Sequence, residues 1–186
     1  MRNNRQRGVK GREMEPERAG LLAELLREMR ETCGDLFPDE AWYEIHRCFA
    51  IPYVEVVVPM YEGGEWMVFL VRRDPADPHW PGEPWHIPGG IWRVSQSREE
   101  ACNAIAMREI NVGIGRVQEV MSYKWTDHAY ANPISHVCLC ETLARPIESE
   151  SAKFHSLSRL PSNMLLHHRE FIEACIRLFE QPKLEN

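Results

Sequence analysis

The chain has 186 residues, of which 22 are Lys or Arg and 28 are Asp or Glu, giving a formal net charge of −6. Residues 1–12 hold five basic side chains and no acid, so residues 13–186 carry −11. This acidic majority disfavours nucleic-acid binding, because a phosphate backbone would repel it. The apolar runs at 56–60 and 66–71 are far shorter than the roughly 20 residues that span a bilayer.

Hydrophobic spacing predicts that the first half of the chain contains helices followed by strands. In chain order the predicted elements are a flexible basic arm over residues 1–12, a helical extension over 13–38 with its helix at 16–32, a second helix over 39–47, and two strands over 53–60 and 66–72. The leucine stripe of the first helix must be covered, which makes that helix a candidate arm for a homodimer. A proline-rich loop over 74–84 follows the second strand and is either a substrate rim or a rigid connection.

The second half of the chain contains the best-marked helix. Ser97 and Glu100 form a capping box at its start, and Asn111 provides a residue that tolerates the left-handed conformation after its last turn. Strands are predicted over 116–124 and 135–141, and a last amphipathic helix over 170–180. Strands mixed with packing helices predict an α/β or α+β sandwich.

The cysteine pattern and the start of the chain indicate an intracellular protein. Six cysteines occur without a C-x-x-C pair, which favours reduced, mostly buried thiols over a zinc site or a disulfide framework. No apolar segment of the secretory type follows the basic start. A cytoplasmic location without membrane attachment is therefore expected.

The segment Trp85-His-Ile-Pro-Gly-Gly90 leads through a loop into the helix that Ser97 caps. Counted from Gly90, the chain resembles the signature of the Nudix family, G-x5-E-x7-R-E-U-x-E-E-x-G-U, in which U is a bulky apolar residue. Glu109 falls on the second glutamate of the late pair, and Val112 on the final apolar position.

The resemblance extends upstream to the strand that ends at Arg73 and downstream to residues 153–157, and it covers roughly residues 40–180. It implies a Nudix-like α/β/α sandwich with a mixed β-sheet over residues 39–182, preceded by the N-terminal helical extension.

The chain departs from the signature at four positions that normally bind or support metal ions. These positions hold Gln96, Ala104, Ile105 and Arg108. In an ordinary Nudix enzyme, carboxylates at the positions of Ile105, Arg108 and Glu109 share one helix face and bind Mg²⁺ through oxygen. An arginine on this face competes directly with a cation, and a multi-metal site is therefore not expected.

GDP-mannose mannosyl hydrolases, one branch of the family, also keep only the last glutamate of this face, and the helix here is similar to theirs. The similarity implies a single Mg²⁺ or Mn²⁺ ion, bound by the Gly89 carbonyl, Glu109 and, in a loosely aligned loop, Glu148. It further implies that Arg73 contacts the diphosphate and that Glu55 matches an acid of the first strand. Arg93 is a candidate substitute for a diphosphate-binding arginine that is missing here.

Two aromatic residues complete the candidate site. His128 follows Asp127 and is a candidate general base, although a histidine in an ordinary loop fits the pattern equally well. Trp80 lies in the proline-rich loop and is a candidate for stacking on a base; alternatively, it closes the core.

Two functions fit these residues. The first is metal-dependent hydrolysis of a small molecule, a nucleoside diphosphate linked to another moiety, such as the nucleotide sugar GDP-mannose. The second is a catalytically inactive Nudix-fold module that binds a nucleotide or a protein. Retention of Glu109 favours the first function, and we therefore expect an enzyme, a Nudix-type hydrolase. The lost carboxylates favour the second function, which is the alternative.

Overall fold

Two helices precede the strands along the chain. The computed structural model describes residues 14–33, 38–128 and 131–180, and the chain divides into two compact units between Trp42 and Tyr43. The first unit contains α1 (Pro16–Glu28), a short π-helical segment (Met29–Cys33) and the start of α2 (Asp39–Cys48). The predicted basic arm over 1–12 and the helix stop at Gly34 lie outside the described residues. No helix of the described ranges is long and apolar enough to cross a membrane.

The second unit contains two four-stranded sheets. The strands of the first sheet, in spatial order, are β5 (Gly89–Ile91), β1 (Ala50–Val57), β7 (Asn132–Thr142) and β6 (Ile114–Lys124). This sheet is mixed, because β1 pairs with β7 in parallel and the other two pairings are antiparallel. The strands of the second, antiparallel sheet are β2 (Pro59–Glu62), β3 (Glu65–Arg72), β4 (Trp85–His86) and β8 (Ala152–Ser156).

Two further helices, α3 (Arg98–Ile110) and α4 (Leu166–Glu180), cover the strands and create two hydrophobic layers. Neighbouring residues of one strand enter different layers, as a side-chain period of two requires. In β1, Val56 packs in the layer that contains the apolar face of α3, and Val57 packs in the layer that contains Phe171 and Ile172 of α4. Strands buried on both faces between helices confirm the predicted α/β/α sandwich with a mixed sheet.

The predicted strand over 53–60 is wrong in one respect, because the chain forms two strands there that belong to different sheets. The break occurs at Val58, before Pro59. Proline has no N–H for a strand ladder and is tolerated at the first position of a strand, where Pro59 begins β2. Strands β2 and β3 pair as an antiparallel hairpin.

Three strands, β4, β5 and β8, have no counterpart in the sequence predictions. β4 and β5 contain only two and three residues, too few for the alternation of polar and apolar residues to mark them. β8 contains five residues that do alternate, from Ala152 to Ser156, but the sequence prediction does not use this pattern. The last helix also begins four residues earlier than predicted, at Leu166.

The cysteines agree with the prediction of reduced and mostly buried thiols. Cys102, Cys138, Cys140 and Cys175 are free and buried, whereas Cys48 is free and exposed.

Candidate functional site

The glycine turn between β4 and α3 approaches the first strand closely. Strand β5 pairs with β1 so that Gly89 lies opposite Glu55. A Cβ atom on Gly89 would lie 2.2 Å from Glu55 Oε2 and 3.3 Å from the backbone oxygen of Val54. Only glycine therefore fits at position 89 without displacing its neighbours.

Helix α3 brings its last turn to this glycine turn. The capping box fixes the start of the helix, with Ser97 N–H donating to Glu100 Oε2 at 2.7 Å and Glu100 N–H donating to Ser97 Oγ at 3.2 Å. Asn111 ends the helix in the left-handed conformation at φ 51°, as predicted. The helix register that results places Arg108 and Glu109 beside Gly89.

Two hydrogen bonds join the last turn of α3 to Gly89, and a third links the two side chains that make them. The Gly89 N–H donates to Glu109 Oε2 at 3.3 Å. In the opposite direction, Arg108 Nη2 donates to the Gly89 carbonyl at 3.1 Å. The same Arg108 nitrogen also donates to Glu109 Oε1. One guanidinium nitrogen therefore bridges a backbone carbonyl and a carboxylate.

Glu55 is a buried acid held by a chain of hydroxyl and indole donors. Ser135 Oγ donates to Glu55 Oε1 at 2.7 Å, and Trp125 Nε1 donates to Ser135 Oγ at 2.8 Å. Burial is the main cause that raises the pKa of Glu55 to about 8, and the charge of Glu109 raises it further, against the lowering effects of Ser135 and Arg73. Glu55 is therefore mostly protonated at pH 7.

Glu109 is a second mostly buried acid, with 18% of its side chain exposed. Burial raises its pKa, whereas the hydrogen bond and charge of Arg108, the charge of Arg73 and the Gly89 N–H lower it. Two guanidinium groups thus compensate the charge of this carboxylate.

A cleft of about 260 Å³ opens beside β3, and Glu109 forms part of its lining. Its border also includes Val71, Arg72, Arg73, Asp74, Asp77, His86, Ser151 and Ala152. Arg73 is the residue that connects the cleft to the acids, since its charge lowers the pKa of both Glu55 and Glu109. The cleft therefore combines cationic and anionic side chains, as a site for a polar ligand does.

Arg73 and Trp80 hold buried donors that no described residue accepts. The Arg73 guanidinium lies 5.8 Å from the centroid of the Trp80 ring. Among the described residues, neither Arg73 Nε nor Trp80 Nε1 has a hydrogen-bond partner, although both nitrogens are buried. Such donors are costly unless an acceptor reaches them.

His86 lines the cleft in a fixed neutral form. Its Nδ1 donates to the Ile87 carbonyl at 2.7 Å, a tautomer assigned because a carbonyl only accepts, and its Nε2 therefore remains an acceptor. Burial, followed by the charge of Arg73, lowers the pKa of His86 to about 3. The backbone N–H of the same residue, Ile87, donates to His168 Nδ1 at 2.9 Å.

His128 packs beside Trp80, with the two ring centroids 5.4 Å apart. Burial and then the charges of Arg73, His46 and His79 lower the pKa of His128 to about 4. The ring is therefore neutral at pH 7, and it is a weak base. Its predicted catalytic role stays a prediction.

Glu148 and Arg93 lie in loops, and neither is among the described residues that line the cleft. Glu148 pairs with Arg145 Nη2 at 3.4 Å and accepts the Phe154 N–H at 3.4 Å. The backbone N–H of Arg93 donates to Gln96 Oε1 at 3.3 Å. The metal-binding role of Glu148 and the diphosphate-binding role of Arg93 stay predictions.

No family model matches the chain, and no curated protein matches its sequence. Solved structures do match. A Nudix hydrolase from Nitrosomonas europaea superposes with a TM-score of 0.57 at 14% identity, covering 73% of this chain and 94% of the other. The Nudix domain of Shewanella oneidensis NrtR, in complex with ADP-ribose, gives 0.55 at 17% identity, covering 76% and 99%. This chain has the Nudix fold.

An ADP-ribose pyrophosphatase from Streptococcus suis matches as well, with a TM-score of 0.51 at 16% identity, covering 74% of this chain and 97% of that one. Identities this low establish the Nudix fold and not a shared activity.

The donors at the Nudix metal position do not fit a divalent ion. The resemblance implies ligation by the Gly89 carbonyl and Glu109, but Arg108 already donates to both. Ile105, one turn earlier on the metal-binding face, is buried and apolar. Within residues 14–33, 38–128 and 131–180, no three His, Cys, Asp or Glu side chains cluster as metal ligands. The expected single Mg²⁺ therefore lacks a donor set here.

The structure adds site residues that the sequence reasoning did not identify. Ser135 and Trp125 hold Glu55, and His86 borders the cleft. Position 86 lies inside the Trp-x-x-Pro-Gly-Gly segment, and this segment is a sequence signal from which His86 could be identified as a site residue. Ser135 has no such signal, because it reaches Glu55 only through the parallel pairing of β7 with β1, in which Tyr53 lies opposite Ser135.

Proposed function

We propose that this chain is a Nudix-fold ligand-binding module and that its ligand is a nucleoside diphosphate derivative bound in the cleft. The observation that carries the proposal is a pair of buried donors without an acceptor among the described residues: Arg73 Nε, on a residue that lines the cleft, and Nε1 of Trp80, whose ring lies 5.8 Å from the Arg73 guanidinium. Phosphate oxygens are strong acceptors for guanidinium groups, and a shift of the loop over 74–84 would bring them within reach.

The size of the cleft agrees with a ligand of this class. A volume of about 260 Å³ is slightly below the roughly 300–1,000 Å³ of common ligand pockets. It suits the diphosphate and an adjoining group, with the rest of the ligand outside. The ADP-ribose complex of the structurally similar NrtR Nudix domain supports a diphosphate of this kind.

Hydrolysis of the bound ligand, with GDP-mannose as one candidate, is the second function, and the state of Glu55 favours it. A carboxyl group with a pKa of about 8 exchanges protons near neutral pH, as general acids and bases do. We rank binding first, because Arg108 engages the carboxylate of Glu109 that a hydrolase of this fold would use on a metal.

Calorimetric titration with ADP-ribose, GDP-mannose and GDP, with and without Mg²⁺, tests the proposal. We expect Arg73→Gln to weaken binding by at least about tenfold, because a charge-assisted hydrogen bond is lost. Arg116→Gln is the matched control, since Arg116 is an exposed arginine that pairs with Glu141.

Phosphorus NMR of the same samples detects hydrolysis. If product forms and Glu109→Gln abolishes its formation, the protein is a hydrolase and not only a binding module. If none of the three ligands binds, or if Arg73→Gln binds as tightly as the unchanged protein, the proposed function is wrong.

A further inference from the structure

The guanidinium group of Arg108 lies over the glycine turn. Its Nη2 donates to the Gly89 carbonyl at 3.1 Å and to Glu109 Oε1. A Cβ atom on Gly90 would lie 3.0 Å from Nη2 and 3.6 Å from Nη1, so the end of the guanidinium sits close above this backbone. Arg108 thus covers the glycine turn and pairs with the acid beside it.

The two oxygens that Arg108 contacts are of the kind that hard divalent cations bind. Backbone carbonyls and carboxylates are typical oxygen ligands of Mg²⁺. A guanidinium delivers one positive charge to the same atoms, and it stays protonated at every relevant pH. It is covalently tethered, so it competes with a free ion at a high effective concentration.

The surroundings offer a divalent ion little in exchange for displacing Arg108. Ile105 is 2% exposed, and its Cδ1 atom would lie 3.4 Å from a Cβ on Gly90. This helix face therefore offers no further carboxylate, and the oxygens of Gly89 and Glu109 are those that a divalent ion would have to take from Arg108. Glu55, which lies opposite Gly89, accepts the Ser135 hydroxyl on one oxygen and packs against Gly89 with the other.

We propose that Arg108 is a built-in cation that replaces the divalent metal at the oxygens of Gly89 and Glu109, so that this site excludes Mg²⁺. The inference rests on the proposed function in one respect. Glu109 lines the cleft in which the diphosphate is proposed to bind, and with Arg108 in place of a metal there, the positive charge that faces the diphosphate comes from arginine side chains. Ligand binding then proceeds without a metal.

Titration with Mn²⁺ alone, followed by the electron paramagnetic resonance signal of the free ion, tests this replacement without any assay of activity. We expect the unchanged protein to bind no Mn²⁺ that depends on Glu109. Arg108→Ala should gain a Mn²⁺ site, with an affinity at least about tenfold higher than that of any residual Mn²⁺ binding by the unchanged protein. Glu109→Gln in that background should remove the site. Arg108→Lys keeps the positive charge and should gain nothing.

Arg116→Ala is the matched control, because it removes an equally charged but remote arginine and should leave Mn²⁺ binding unchanged. The proposal is overturned if the unchanged protein binds one Mn²⁺ that Glu109→Gln eliminates. It is also overturned if folded Arg108→Ala gains no site. Should Arg108→Ala fail to fold, Arg108→Gln, which keeps a polar side chain of similar reach, takes its place.

The two proposals fail separately. If the expected Mn²⁺ results are not obtained but ADP-ribose still binds in the presence of EDTA, only the proposal that Arg108 replaces the metal is wrong. If the Mn²⁺ results are as expected but no ligand binds, only the proposed function is wrong.

Discussion

Glu55 and Glu109 both approach Gly89, and the protein neutralises them in different ways. Glu55 keeps its proton: it is 5% exposed, accepts the hydroxyl of Ser135 and has a pKa of about 8. Glu109 receives a cation instead, through the hydrogen bond from Arg108. A buried acid must either stay neutral or be paired, and the two glutamates represent these two solutions.

The comparison explains how the Nudix fold can persist here without the usual anionic centre. A metal-dependent site needs several ionised carboxylates around one point. At this turn one carboxyl group is protonated and the other is paired with arginine, so little uncompensated negative charge remains to attract a divalent ion.

The largest expected effect comes from a methyl group placed on Gly89, against Glu55. In Gly89→Ala the new Cβ would lie 2.2 Å from Glu55 Oε2 and 3.3 Å from the Val54 carbonyl. Glu55 is buried and held by Ser135, so it cannot simply turn away. We expect the free energy of unfolding to fall by at least about 3 kcal/mol, the upper range for overpacking, as measured by urea denaturation.

Gly20→Ala is the control for this substitution. Gly20 lies in α1, and a Cβ there meets nothing within 4 Å. Alanine should be neutral or stabilise the helix by up to about 1 kcal/mol. Equal stabilities of the two variants would show that Gly89 and Glu55 do not approach each other as described.

The second prediction separates the glutamates by pH. In Glu55→Gln a neutral amide replaces a carboxyl group whose pKa rises from 4.5 to about 8 on folding. Below about pH 4.5 both folded and unfolded chains carry a protonated Glu55, so ionisation does not contribute. As the pH rises toward 8 the unfolded chain ionises first, and the unchanged protein loses stability that the variant keeps.

We therefore expect Glu55→Gln to be more stable than the unchanged protein at pH 7, by on the order of 2–3 kcal/mol, with the difference shrinking toward pH 4. Urea denaturation across this pH range measures it. Because the glutamine oxygen can still accept the Ser135 hydroxyl, packing changes little. Parallel stability curves for the two proteins would contradict the protonated state of Glu55.

The sequence predicts the Glu109 side of this comparison far better than the Glu55 side. Ser97, Glu100 and Asn111 follow local rules for helix ends, so the helix register, and with it the position of Glu109, could be predicted without a structure. The competition of Arg108 with a cation could be predicted from the same spacing. In contrast, the partner that keeps Glu55 protonated, Ser135, lies 80 residues away along the chain.

Non-local pairing also limits the prediction of the cleft. Strands β4 and β8 border it, β4 is too short to show a period, and both strands exist because β3 offers both of its edges. The predicted site residues Arg73, Glu109 and Gly89 are brought together, whereas Glu148 lies in a loop whose contacts with Arg145 and Phe154 depend on these pairings. Local helix signals are therefore readable here, and strand-edge contacts are not.

The smallest expected effect comes from removing the cation of Glu109. Arg108→Ala eliminates the hydrogen bond and charge that most oppose the raised pKa of Glu109, so this pKa should rise further, as followed by carbon NMR of the side-chain carboxyl. Arg108 is 59% exposed on its side chain, and water will compensate part of the loss. We expect a cost of about 1 kcal/mol at pH 7. Below about pH 4, where Glu109 is protonated in both states, the cost should shrink to the part that comes from the lost hydrogen bond to the Gly89 carbonyl. Arg116→Ala, which removes an exposed ion pair with Glu141, should leave the pKa of Glu109 unchanged. If the Glu109 titration is the same in Arg108→Ala and Arg116→Ala, then arginine does not neutralise Glu109, and the contrast with Glu55 disappears.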